Sequence, residues 1–220
     1  MKSFNGKTVL LGVTSGIAAY KSLELIELLK KEGLEVFVIM TKSASLMVAP
    51  LEFENASGHE VAIELFKDKF DYKKVLKTRT VEHIALSDKA DIMVICPATA
   101  NTIAHLANGI ADDFLTTAVL ALTKPLIICP SMNVNMWNNP AVVENLEKLK
   151  RRGIQIIEPT EGMLACGYEG KGRLENIDII KQEIRKERNR THARKGKKRS
   201  GTAGGTQEKI DEERVSTNKS

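Results

Sequence analysis

Asp91-Ile92-Met93-Val94-Ile95-Cys96-Pro97-Ala98-Thr99-Ala100-Asn101-Thr102 joins an apolar run to a cluster of small hydroxyl and amide side chains. Residues 91–96 read as a strand buried on both faces, which is how strands of a parallel sheet are built. The pattern recurs. Residues 125–129 form a second apolar strand, followed by Pro130-Ser131-Met132-Asn133-Val134-Asn135-Met136-Trp137. Open α/β sheets bind their ligands at the carboxyl ends of the strands. Hydroxyls and amides such as Thr99, Asn101, Thr102, Ser131, Asn133 and Asn135 do not fill cores. They suit hydrogen bonds to a flat, polar, phosphate-bearing molecule.

The flanking sequence repeats the alternation. Residues 7–13 read as a strand. Leu25, Ile26, Leu28 and Leu29 mark a helix over 17–31 that stops at Gly33, and residues 34–40 are a second strand. Thr41 or Ser43 caps the next helix. This order is a right-handed βαβ unit. Residues 50–80 mix helix and loop, 81–89 form a short amphipathic helix, and 102–122 form a long helical pattern broken near Asn108-Gly109. Asn139-Pro140 opens a helix running to Arg152 and ending at Gly153; residues 154–157 are a fifth strand. Residues 158–173 are glycine-rich and read as a loop, and 177–188 as a last helix. The expected fold is a doubly wound, mostly parallel α/β sheet, flavodoxin- or Rossmann-like, in one domain over residues 1–188. Residues 189–220 are expected to be a disordered basic tail, because their apolar content collapses.

Charge supports that division. The net charge is +5, yet residues 185–220 hold 12 Lys and Arg against 5 Asp and Glu, so the globular part is slightly acidic. The basic character therefore gives no reason to expect nucleic acid as a partner. No apolar run approaches the roughly 18 residues of a membrane span. Lys2 and Lys7 are followed too soon by polar residues for a signal peptide, so a cytoplasmic protein is expected. The three cysteines have no metal-ligand spacing. Cys96 and Cys129 fall in strands and read as inert. Cys166, in the run Gly162 to Arg173 with its four glycines, reads as a thiol on a mobile flap that could deliver a proton.

The first turn, Gly12-Val13-Thr14-Ser15-Gly16-Ile17, resembles a phosphate-binding loop but lacks both GxGxxG spacing and the Walker lysine. It fits a mononucleotide better than a dinucleotide or ATP. His83, with an ordinary pKa of about 6.5, is a candidate base at neutral pH. His59, His105 and His192 have no supporting context. Met132, Met136 and Trp137 could form a soft apolar wall.

Together, residues 12–21, His83 in His-Ile-Ala-Leu, the 97–102 run, the 130–136 run and Ala165-Cys166-Gly167 with residues 170–173 closely resemble the flavin-dependent cysteine decarboxylase family. Thr99 stands where the family's Pro-Ala-Ser-Ala-Asn-Thr motif has serine, which keeps the hydroxyl. The resemblance covers about residues 6–185. It implies FMN bound by Ser15, Gly16, Ile17, Thr41, Ser43, Thr99, Ala100, Asn101, Thr102 and Ser131. It implies a substrate held by Met132, Asn133 and Met136, with Asn133 on its carboxylate. His83 would be the base and Cys166 the proton donor. The implied reaction converts 4′-phosphopantothenoylcysteine to 4′-phosphopantetheine in coenzyme A biosynthesis, in a homo-oligomer that is a trimer or a multiple of trimers. Relatives that decarboxylate a peptide's terminal cysteine, and non-catalytic FMN-binding regulatory subunits, are the alternatives. In many bacteria such a domain is fused to a ligase. The 189–220 segment is too short and polar to be one, so a monofunctional protein or a truncated bifunctional one is expected.

Overall fold

Thr8–Val13, Ile92–Ala98 and Leu126–Pro130 are buried along their whole lengths, and they form the centre of a parallel sheet. The computed structural model describes residues 8–65, 72–78, 81–163, 167 and 169–201. Its strands are β1 (Thr8–Val13), β2 (Glu35–Met40), β3 (Ile92–Ala98), β4 (Leu126–Pro130) and β5 (Gln155–Ile156), in the spatial order β2-β1-β3-β4-β5. Leu11 pairs with Val38 on one side and Val94 on the other. This is the flavodoxin-like strand order, with its switch point between β1 and β3.

Alternation along the strands builds two cores. Val9, Leu11, Val94 and Ile127 pack with Leu25 and Leu29 of α1 (Lys21–Lys31), Phe53 of α3 (Pro50–Ser57) and Ile180 and Ile184 of α10 (Ile177–Gly201). Leu10, Met93, Ile95 and Ile128 face the other way. They meet Ile103 and Leu106 of α6 (Ala100–Asn108), Phe114 and Leu115 of α7 (Phe114–Leu120), and Leu146 and Leu149 of α9 (Pro140–Arg151). Each such side chain, fully buried, contributes about 1.5–3 kcal/mol. Single turns α2 (Lys42–Ser45) and α8 (Val134–Trp137) follow β2 and β4, and α4 (Tyr72–Thr78) and α5 (Glu82–Lys89) precede β3.

Several boundaries differ from the sequence expectation. Residues 17–20 form a 3-10 turn before α1. The 102–122 pattern is two helices: Gly109, at φ +70°, ends α6, and Asp113 starts α7 with a capping box to Thr116. The stretch expected as a loop over 158–173 contains an antiparallel hairpin, β6 (Thr160–Met163) with β7 (Glu169–Arg173). Its glycines serve extended backbone and close packing rather than an open loop, as Gly162 at φ +143° and Gly170 at φ +153° illustrate. The last helix continues past residue 188 to Gly201, crossing the expected domain boundary. Ion pairs Lys186–Glu183 and Arg190–Glu187, one turn apart, support that polar extension. Residues 202–220 of the expected tail lie outside the described residues. Among the described residues, no helix is long and apolar enough to cross a membrane.

Candidate active site

The loops that leave β1 and β3 are tied together by Thr14, and the loop that leaves β4 joins them through its backbone. Thr14 is buried; its hydroxyl donates to the Pro97 carbonyl at 2.8 Å and accepts from the Thr99 N–H at 3.0 Å. Ser22 Oγ donates to the Cys96 carbonyl at 2.6 Å, and the Ser131 N–H donates to the Ala98 carbonyl at 3.1 Å. Gly16 lies so near the second loop that an added Cβ would stand 3.2 Å from Pro97 Cγ. The three loops therefore share one backbone-packed junction.

Above the junction opens a cleft of about 610 Å³, within the roughly 300–1,000 Å³ of small-molecule and cofactor sites. Ser15, Gly16 and Ile17 line it from the first loop and Thr99 and Ala100 from the second. Ser131, Met132, Asn133 and Met136 line it from the third. Thr99 caps α6, accepting from the Thr102 N–H at 3.3 Å, so the positive end of that helix opens onto the cleft through Ala100. Asn133 caps α8, its Oδ1 accepting from the Asn135 N–H at 2.8 Å.

Other expected site residues lie elsewhere. Thr102 is buried beside Thr99, hydroxyl to hydroxyl at 3.1 Å, and supports the cap from below. Asn101 is exposed. Thr41 caps α2 by accepting from the Ala44 N–H at 3.2 Å, and Ser43 is exposed on that turn. Neither lines the cleft, because β2 is the sheet's edge strand and the cleft sits over β1, β3 and β4. His83 is on α5, partly buried, with its ring edge-on to Phe114 at 5.9 Å. It is not among the residues lining this cleft. Burial holds its pKa below the ordinary value, partly opposed by the charge of Glu82. Cys166 lies outside the described residues. Cys96 and Cys129 are buried free thiols, and burial first, then Cys96, pushes the Cys129 pKa well up.

Seven lining residues were not assigned as site residues from the sequence: Ala18, Tyr20, Lys21, Met163, Gly172, Arg173 and Leu174. Lys21 and Arg173 add two cations to the wall, and Gly172 and Leu174 complete it from β7 and the residue after it. The signal for the hairpin was present in the phase of its glycines. Gly170 and Gly172 are two apart and, although the register shifts at Gly172, both leave bare the side of β7 that meets the third loop. That face lies on the third loop: the Met132 N–H donates to the Gly172 carbonyl at 3.0 Å. A Cβ at Gly172 would stand 2.2 Å from the Met132 carbonyl oxygen, and one at Gly170 2.8 Å from Val134 Cγ2.

The arrangement combines hydroxyl donors, a helix N-terminus, two cations and apolar walls from Ile17, Met132 and Met136. That donor set fits a planar, phosphate-bearing group. Comparison with known proteins agrees. The Flavoprotein family matches residues 2–189. The coenzyme A biosynthesis bifunctional protein CoaBC of Bacillus subtilis is 47% identical over 98% of this chain and 52% of its own length. That of Borreliella burgdorferi is 40% identical over 97% of this chain and 53% of its own. The chain thus spans about half the length of the curated relatives it matches. Among solved structures, the FMN-dependent cysteine decarboxylase SpaF superposes with a TM-score of 0.71 at 32% identity, covering 84% of this chain and 97% of SpaF. A mutant PPC decarboxylase complexed with pantothenoylaminoethenethiol gives 0.68 at 32% identity, covering 81% and 96%.

Proposed function

This chain belongs to the flavoprotein family, and from that premise we propose that it binds FMN and decarboxylates 4′-phosphopantothenoyl-L-cysteine to 4′-phosphopantetheine in coenzyme A biosynthesis. The observation that carries the reading is the convergence of residues 15–17, 99–100, 131–133 and 136 on one cleft, in a chain similar to CoaBC along nearly its whole length.

In this reading Ser15, Thr99 and Ser131 hydrogen-bond FMN, Ala100 offers it the α6 N-terminus, and Ile17 and Met132 flank it. Bound there, FMN would supply reversible two-electron chemistry at the substrate's cysteine, which is what loss of its carboxylate requires. Asn133 donates its amide to the substrate carboxylate and orients it for loss. Met136 shields that carboxylate from water. His83, kept neutral at pH 7 by its burial, accepts the thiol proton. Cys166 returns a proton to the enethiolate.

His83 is not among the residues lining the cleft of its own chain, and Ile17 and Tyr20 are exposed on that lining. Both support a homo-oligomer in which one copy's His83 serves a neighbour's cleft; a trimer or multiple of trimers is the assembly proposed. The two buried free thiols support a reducing, cytoplasmic setting.

The likeness to the cysteine decarboxylase SpaF leaves room for a second reading, in which the cysteine is the C-terminal residue of a peptide. Two measurements test the proposal. The purified protein is expected to be yellow, with oxidised-flavin absorbance. Mass spectrometry after incubation with 4′-phosphopantothenoylcysteine is expected to show loss of carbon dioxide. Turnover of a cysteine-ended peptide alone selects the second reading, and a protein that cannot take up FMN defeats both.

A further inference from the structure

Bare glycine backbone at 170 and 172 seats the β6–β7 hairpin on the 132–134 loop, and the side chain between them adds a grip of its own. Lys171 supplies it. In β7 it alternates with Gly170 and Gly172, and its ammonium donates to Glu158 Oε2 at 2.6 Å. The other carboxylate oxygen, Oε1, accepts from Lys150 of α9 at 3.1 Å. The Lys171 ammonium also lies 5.6 Å from the centre of the Trp137 ring on α8. One carboxylate thus joins the hairpin to α9, with α8 beneath the joint. Hydrogen bonds from Lys171 first, then Lys150, hold the Glu158 carboxyl below its ordinary value, so it is ionised at neutral pH.

We propose that Glu158 is a positioning residue, clasping Lys171 and Lys150 so that the hairpin stays pressed on the Met132 backbone and the cleft wall keeps its shape. The link is short. Lys171 precedes Gly172, whose carbonyl takes the Met132 N–H, and Gly172, Arg173, Met132 and Asn133 all line the cleft. Glu158, Lys171 and Lys150 do not line it, so they act only through that wall. The carboxylate is 45% exposed, so water and salt weaken the clasp, and its removal should cost a few-fold rather than abolish function. The kinetic arm of the test rests on the decarboxylase reading; the exchange arm does not.

The test is hydrogen exchange on the full-length, flavin-loaded protein. In Glu158→Gln, amides of residues 169–173 should exchange about three- to tenfold faster, with those of β1 and β3 unchanged. Lys171→Gln should do the same, and the double variant should be no faster than either single. Salt at about 0.5 M should accelerate the wild-type hairpin but not Glu158→Gln. With 4′-phosphopantothenoylcysteine, KM should rise several-fold with kcat nearly constant. Unchanged exchange over 169–173, equal acceleration throughout the sheet, additive single variants, or faster exchange with wild-type KM would each overturn the proposal. A wild-type protein that does not turn over this substrate would defeat the decarboxylase reading and leave the clasp to be decided by exchange alone.

Discussion

Replacing Gly172 with alanine should damage the cleft far more than the fold. The added Cβ would stand 2.2 Å from the Met132 carbonyl oxygen, and ordinary contact begins near 3.4 Å. β7 must therefore retreat by about 1 Å, because the obstacle is backbone and cannot swing aside. The retreat stretches the 3.0 Å bond from the Met132 N–H to the Gly172 carbonyl. Losing that bond costs about 0.5–1.5 kcal/mol, and overpacking adds about 1–3 kcal/mol unless the hairpin lifts away. A hairpin that lifts relieves the strain but moves Arg173 and uncovers Asn133. A displacement near 1 Å in a positioning wall is worth up to about 100-fold in rate. The expected result is a loss of about 100-fold in kcat/KM for decarboxylation, with a modest fall in the urea midpoint. Gly33→Ala is the control. Gly33 has φ +76° and nothing within 4 Å of its added Cβ, so alanine there should cost about 1 kcal/mol of stability and leave turnover unchanged. Gly172→Ala turning over within about threefold of wild type, with unaltered exchange over 169–173, would refute the reasoning.

Thr14→Val should lower stability in urea by about 2–3 kcal/mol, because it strands the Pro97 carbonyl and the Thr99 N–H; Thr14→Ser should recover most of that. His83→Asn should abolish turnover while leaving flavin absorbance intact. In the wild type, kcat/KM should fall on the acid side with a pKa below about 6.5, since burial disfavours the charged imidazole. Cys166→Ser should release an enethiol short of two hydrogens relative to the product, read by mass spectrometry. The Glu158 carboxyl is held below its ordinary value in the folded chain, so its contribution is present at neutral pH and disappears as pH falls through the folded-state pKa. The difference in urea midpoint between wild type and Glu158→Gln should accordingly be clear at pH 7 and vanish in acid.

What could be read in advance, and what could not, follows from where the information resides. β1, β3 and β4 are covered on both faces, and that burial writes itself as unbroken apolar runs. The polar loops after β3 and β4 stand out against those runs, which is why Thr99, Ser131 and Asn133 were legible as cleft residues. Thr41 and Ser43 followed a strand just as clearly, yet they are not among the residues lining this cleft, because chain order is not spatial order. β2 is next to β1 in both, but the cleft forms on β1's other side, where β3 arrives after a long excursion. Thr14 was invisible for a related reason: its partners are backbone atoms 83 and 85 positions away, and no pattern of side chains announces a carbonyl. Glycine content misled in the opposite sense. A glycine-rich run was read as freedom, whereas Gly170 and Gly172 are required by a neighbour at 2.8 and 2.2 Å from their missing Cβ atoms. The strand phase of those two glycines separates the cases, since a flexible segment has no reason to bare one face at every second residue, and a packed strand does.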